Sequence, residues 1–169
     1  MAEFELRFPT RDIGYWAERY EYDETPILPI VSEVKSRAFL TKKDFLTACR
    51  WKTARSQSRC RENSSEFICA VTKCALGTPA EQLRIEVLTL LNGVSWPTAS
   101  VILHFFHSDP YPIMDVRALW SLKNKVPKRY GFNFWQEYTS YCRGLSKRAG
   151  VSMRTVDRAL WQFSKENQR

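Results

Sequence analysis

The sequence predicts an all-α protein. Three observations predict it: apolar residues recur at steps of three and four, strand-like alternation is scarce, and Ala99–Phe106 is apolar on nearly every side. The 169 residues suit a single compact helical domain spanning 1–169, with 44% hydrophobic and 14% aromatic residues to fill its core. Its predicted hairpin core covers 79–122, and a second lobe comes from the N-terminal segment and the last helices.

Each element has its own signal. Residues 1–30 read as irregular, punctuated by Gly14, Pro26 and Pro29. Residues 31–50 read as helical, with Val34, Ala38, Phe45, Leu46 and Cys49 at helical spacing and a second start at Thr41. Phe67, Ile68, Val71 and Leu76 predict a helix ended by Gly77. Thr78-Pro79 opens the next one, whose stripe is Leu83, Val87, Leu90 and Leu91. Asn92-Gly93 ends it. Ser95 is placed to cap a following helix from Thr98 to about His107, with Trp96-Pro97 in its first turn. That helix is apolar almost all round, so it belongs at the centre of a domain. The stretch DPYP is a loop, and Asp115 opens a helix through VRALWSL. Residues 132–142 and 152–165 are helical, the latter with Thr155, Ala159 and Phe163 at steps of four.

The net charge of +8 is unevenly spread. Residues 35–61 hold nine basic and one acidic residue, and 123–169 hold eleven basic and three acidic. These two blocks flank a mildly acidic centre. A solvated helix face accounts for one such cluster; two around an apolar hairpin point to a polyanion, for which nucleic acid is the usual partner. Five cysteines, an odd count without any C-x-x-C pair, fit reduced thiols in the cytoplasm. The start of the chain is too polar for a secretory signal, and no apolar run is long enough to span a bilayer. Two histidines far from any acid or thiol set argue against a zinc site.

Residues 90–122, LLNGVSWPTASVILHFFHSDPYPIMDVRALWSL, carry the most information. A helix ends at glycine, turns, and a second helix begins. The turn's N–H groups and the positive helix end then point outward together, which suits a nucleic-acid phosphate. A helix–glycine–helix corner is also a common structural device, so on physics alone both readings stand.

The segment LNGVSWPTASVILHFF resembles the helix-hairpin-helix of the base-excision DNA glycosylase superfamily that includes endonuclease III. That family's pattern is Leu-Pro-Gly-Val-Gly-x-Lys-Thr-Ala, an apolar helix, a loop and Val-Asp-Thr-His-Val. Leu91, Gly93, Val94, Thr98 and Ala99 match, and PIMDVRAL places Asp115 on the family's aspartate, at the family's interval. The match covers residues 83–122. Three departures matter. Pro97 stands where bifunctional members carry the lysine that attacks the sugar, and proline has no amine, so Schiff-base lyase activity is not expected. Ser95 replaces the second glycine of the hairpin. The four-cysteine motif of some members is absent, and Cys142 alone lies in that region, so the expectation is no cofactor and no iron–sulfur cluster.

The resemblance implies a monofunctional N-glycosylase in which Asp115 stabilises the oxocarbenium-like sugar as the base leaves and helps position water. The competing role for Asp115 is the N-cap of the VRALWSL helix. Both roles are compatible with one carboxylate. The resemblance further implies that Gly93, Val94, Ser95, Trp96 and Thr98 form the phosphate-gripping hairpin on double-stranded DNA carrying a damaged or mismatched base, bound by a monomer. The alternative is a non-catalytic helix-hairpin-helix DNA-binding module.

Flipping a base requires a wedge and phosphate grips. Trp51 stands near the family's wedge position; the opposing reading is a core tryptophan. Lys52, Arg55 and Arg59, three and four apart, predict one helix face that holds phosphates or is simply solvated. Arg117 is placed to pair with a carboxylate or reach DNA. His104 reads as a core histidine, and the Arg154–Asp157 pair as a tie between the last helix and the core.

Overall fold

The computed structural model describes residues 3–168; Met1, Ala2 and Arg169 lie outside them. Among the described residues all regular structure is helical, which is the predicted class. The chain divides into two compact units, one from Asp23–Asp109 and the other from the residues up to Tyr22 together with those from Pro110 onward. The division between Asp109 and Pro110 falls inside the expected hairpin core 79–122.

The Asp23–Asp109 unit contains α2 (Val31–Arg37), α3 (Lys42–Lys52), α4 (Gln57–Arg61), α5 (Ser65–Gly77), α6 (Glu81–Glu86) and α7 (Trp96–Phe106). Its centre is α7, where Ala99, Val101, Ile102 and Leu103 are fully buried. An all-round apolar sequence has no face to offer water, so its neighbours wrap it. α3 packs on α7 and brings Phe45, Ala48 and Cys49 into the same core. α3 begins at a capping box: Thr41 accepts from the Asp44 N–H, and Asp44 answers the Thr41 N–H at 2.9 Å. α5 is capped by Ser64, and its Thr72 hydroxyl accepts from the Leu40 N–H at 3.0 Å.

The other unit contains α1 (Ile13–Glu18), α8 (Val116–Ser121), α9 (Phe132–Ala149) and α10 (Met153–Asn167). α10, capped by Ser152, packs against α1, α8 and α9. The N-terminal segment is tied down by Glu5 N–H to Leu122 O at 3.1 Å and Arg7 N–H to Ser121 O at 2.9 Å. Phe8 and Phe163 lie 4.6 Å apart, and Trp16 meets Phe163 edge-on at 5.1 Å.

Several boundaries differ from expectation for identifiable reasons. Residues 1–30 are not wholly irregular: they hold α1 and one-turn 3-10 helices at Thr10–Asp12 and Leu28–Ile30. α6 starts at Glu81 rather than at Thr78-Pro79, because the Thr78 hydroxyl closes a local turn by accepting from Ala80 N–H at 3.2 Å. Ile85 of α6 is buried together with Leu88 and Leu91 of the following turn, while Leu83 and Leu90 are 45% and 62% exposed. The tightening to a 3-10 turn at Val87–Leu90 shifts the helical phase and breaks the expected stripe. α9 runs past residue 142 to Ala149, where Gly150 terminates it at φ +64°.

Candidate nucleic-acid interface

The hairpin joins Val87–Leu90 to α7 through Leu91–Ser95. Gly93 sits at φ +82°, the left-handed region that glycine alone enters without strain. Space forbids a side chain there as well. A Cβ would lie 2.6 Å from Cys60 Sγ and 3.0 Å from both Cys60 N and Ser56 O. The turn is therefore seated directly on the start of α4.

A second tie holds the turn. The buried Asn63 side chain reads both backbone groups of Asn92: its Oδ1 accepts from the Asn92 N–H at 2.8 Å, and its Nδ2 donates to Asn92 O at 2.9 Å. The same Nδ2 donates to Cys60 O at 2.9 Å, linking the turn to α4. Below it the Cys49 thiol donates to the Cys60 sulfur. This hydrogen bond is the main reason the Cys60 thiol is lowered to about 6, while the same bond, and after it burial, raises Cys49.

Above this base opens a cleft of about 300 Å³, lined by Ser56, Arg59 and the hairpin residues Thr89–Ser95. Ser95 occupies the N-cap position of α7, but its side chain accepts no capping hydrogen bond, contrary to expectation. Pro97 at N2 removes one of the N–H donors an N-cap side chain ordinarily serves. The start of α7 is thus left without a side-chain oxygen from its own cap, and exposed Arg59 lines the same cleft. Trp96 is half-buried, whereas Val94 and Thr98 are buried at 8% and 2% exposure. Thr98 does not line the cleft, contrary to its expected place in the phosphate grip, and the Val94 N–H donates to Leu91 O at 3.0 Å within the turn.

The predicted basic face does not form. α3 ends at Lys52, Thr53 turns extended at φ −164°, Arg55 lies in the 3-10 turn Ala54–Ser56 and Arg59 in α4. Thr53 breaks the helix by accepting from the Arg55 N–H with its own hydroxyl. Of the three cations only Arg59 reaches the cleft; Arg55 is exposed and Lys52 half-buried. Trp51 is a core residue, the opposing reading above. It is 8% exposed, donates from Nε1 to Asp23 O at 2.7 Å, and meets Phe105 edge-on at 5.1 Å. His104 lies half-buried with its ring edge-on to Phe105 at 4.9 Å.

In the other unit, Asp115 is the N-cap of α8. Its Oδ1 accepts from the Arg117 N–H at 2.9 Å, and its backbone is extended at φ −140°, ψ 146°. The backbone of Ile113, two residues earlier, is held at both its N–H and its C=O. Tyr138 of α9 donates to Ile113 O at 2.7 Å, and the buried carboxylate of Asp157 on α10 accepts from Ile113 N–H at 3.3 Å. Asp157 is itself paired with Arg154. Asp115 is half-buried, close enough to Tyr130 that its charge, after burial, raises that phenol. Burial also raises the Tyr138 phenol well above the usual range. The Arg117 guanidinium lies 5.5 Å from the centre of the Trp161 ring.

Asn63 and Cys60 gave no sequence signal. Only a long-range polar contact and a close backbone approach reveal them. Among the described residues, no three or more histidine, cysteine or acidic side chains come together to hold a metal ion, and no helix is long and apolar enough to cross a membrane.

No protein-family model matches the chain, and no curated protein matches it. Among solved structures, the chain is similar to a Methanocaldococcus jannaschii 8-oxoguanine glycosylase/lyase in complex with 15mer DNA containing 8-oxoguanine. The likeness has 14% identity and a TM-score of 0.48, over 94% of this chain and 81% of that chain.

Proposed function

We propose that this chain is a DNA-binding protein of the base-excision-repair type, and that it is a monofunctional N-glycosylase acting through Asp115. One observation carries the DNA-binding reading. The glycine turn, the start of α7 without a side-chain cap and the Arg59 side chain line one open cleft. Backbone N–H groups at a helix start and a guanidinium together suit a phosphate diester. The motif resemblance at residues 83–122 directs the choice to duplex DNA.

The chemistry follows from a single carboxylate. As the glycosidic bond breaks, positive charge develops on the sugar, and an aspartate held in place stabilises it without reorganising. The Arg117 N–H fixes the direction of one Asp115 oxygen, and the clamp on Ile113 fixes the backbone behind it. Pro97 offers no amine, so the abasic product would persist until alkali cleaves it. The partner is a duplex with a damaged or mismatched base, met by a monomer without a cofactor.

The test is a panel of duplexes carrying uracil, hypoxanthine, alkylated purines, oxidised guanine or an adenine mismatch, scored with and without hot alkali. Strand breaks only after alkali, lost in Asp115→Asn, are the expected result. An unchanged rate in that variant removes Asp115 from the chemistry. A second reading, the non-catalytic DNA-binding module, is favoured by the capping geometry, which accounts for Asp115 without any reaction. Salt-dependent duplex binding with no product on any substrate selects it.

A further inference from the structure

A stripe of rings and cations runs along α10, apart from the hairpin. Arg154, Arg158, Trp161 and Lys165 follow one another at steps of four, three and four, so they share one side of the helix. The helix buries Met153, Val156, Ala159 and Leu160 in its core-facing side. Tyr20 and Tyr22, just beyond α1, lie against the stripe. Their ring centres are 5.3 Å and 5.6 Å from that of Trp161, in edge-on contact.

Cations lace these rings. The guanidinium carbons of Arg154 and Arg158 lie 5.1 Å and 5.6 Å from the Tyr20 ring centre. The Lys165 ammonium and the Arg117 guanidinium lie 5.4 Å and 5.5 Å from that of Trp161. Asp157 holds Arg154 and Glu21 holds Lys165, which orders the array before any ligand arrives. Trp161 is half-buried and Tyr22 is 41% exposed, so part of the aromatic surface faces solvent. The block that carries α10, residues 123–169, holds eleven basic and three acidic residues.

Aromatic rings interleaved with cations on a positively charged segment match an unstacked nucleobase between phosphates. Every base has a π face to lay on a ring, and its neighbouring phosphates attract guanidinium groups. We propose that this stripe is a binding surface for single-stranded DNA, with successive bases laid on the solvent-facing parts of Tyr22 and Trp161 and their phosphates held by Arg117 and Arg158. The choice of DNA rests on the reading above, but the surface itself is independent of the hairpin. A duplex in which every base is paired offers the stripe no ring to stack, so the surface selects opened or single-stranded segments.

The experiment titrates the full chain with a fluorescent oligothymidylate of about ten nucleotides and, in parallel, with a fully paired duplex. The expected result is single-strand binding that Trp161→Ala weakens roughly tenfold and that Trp161→Phe, which keeps a ring, restores to within about twofold of the parent. Tyr22→Ala, at an exposed position, should weaken it several-fold without affecting the fold, and it decides the matter if Trp161→Ala does not fold. Duplex binding without single-strand binding overturns the stripe and leaves the hairpin reading intact. So does single-strand binding that ignores both alanine variants. Single-strand binding lost in those variants, without any duplex binding, upholds the stripe and overturns the hairpin. Absence of both overturns both.

Discussion

The hairpin turn and the Asp115 loop are both fixed from behind, but by opposite means. At the hairpin the backbone is fixed by a glycine pressed on Cys60 and an asparagine reading both polar groups of Asn92. At Asp115 a side chain stands at the start of α8, and the fixing groups, Tyr138 and Asp157, hold the backbone before it. The difference explains which substitutions each site tolerates. The hairpin's conformation depends on Gly93 and Asn63 rather than on Ser95, whose side chain makes no capping bond. Under the proposed function Asp115 is the single carboxylate of its site, so its replacement is expected to remove the chemistry while the fold remains.

Substitutions can break this contrast at each point. Gly93→Ala should be the most damaging, because it adds a left-handed non-glycine residue and a Cβ overlapping Cys60 Sγ. A loss of about 2–4 kcal/mol is expected by denaturant unfolding, together with lost duplex binding. Asn63→Ala should cost about 1–2 kcal/mol, with faster hydrogen exchange at the Asn92 amide. An unchanged exchange rate there would show that the turn stands without Asn63.

Asp115 separates its own two roles. Asp115→Ala should cost about 1 kcal/mol of stability through the lost cap, whereas Asp115→Asn, an equally good N-cap, should cost only about a few tenths while abolishing product. Equal destabilisation by both variants would argue that charge, not capping, holds α8. The smallest effect is at His107. Burial and then the charge of Arg84 lower its pKa from 6.5, and its Nδ1 accepts from the Asp109 N–H at 2.9 Å, which requires a neutral ring. The unfolded chain takes up the proton first, so stability is full above about pH 6.5 and falls as the pH drops from there through the lower folded value. His107→Gln should flatten the thermal midpoint over that range.

Much of the frame was legible in the sequence. An all-round apolar α7, the caps at Thr41 and Asp115, and the glycine turn are local patterns whose cause lies within a few residues. The basic face was not legible, because Thr53 prefers to bond its neighbour's N–H and so splits Lys52, Arg55 and Arg59 among three elements. The Leu83–Leu90 stripe failed because a 3-10 turn changes the angular step between residues. Asn63 and Tyr138 act across 29 and 25 residues, where no periodicity reports them. The two-unit division is also non-local, since the chain leaves one unit after Tyr22 and returns at Pro110.

The central claim is that the cleft at Gly93 and Arg59 holds a DNA phosphate. The most direct measurement is duplex affinity against salt concentration for the parent chain and Arg59→Ala. The account predicts an affinity that falls linearly on logarithmic axes, with a slope that Arg59→Ala reduces by about one phosphate contact. An affinity indifferent to salt, the same slope in both proteins, or no duplex binding at low salt would contradict it.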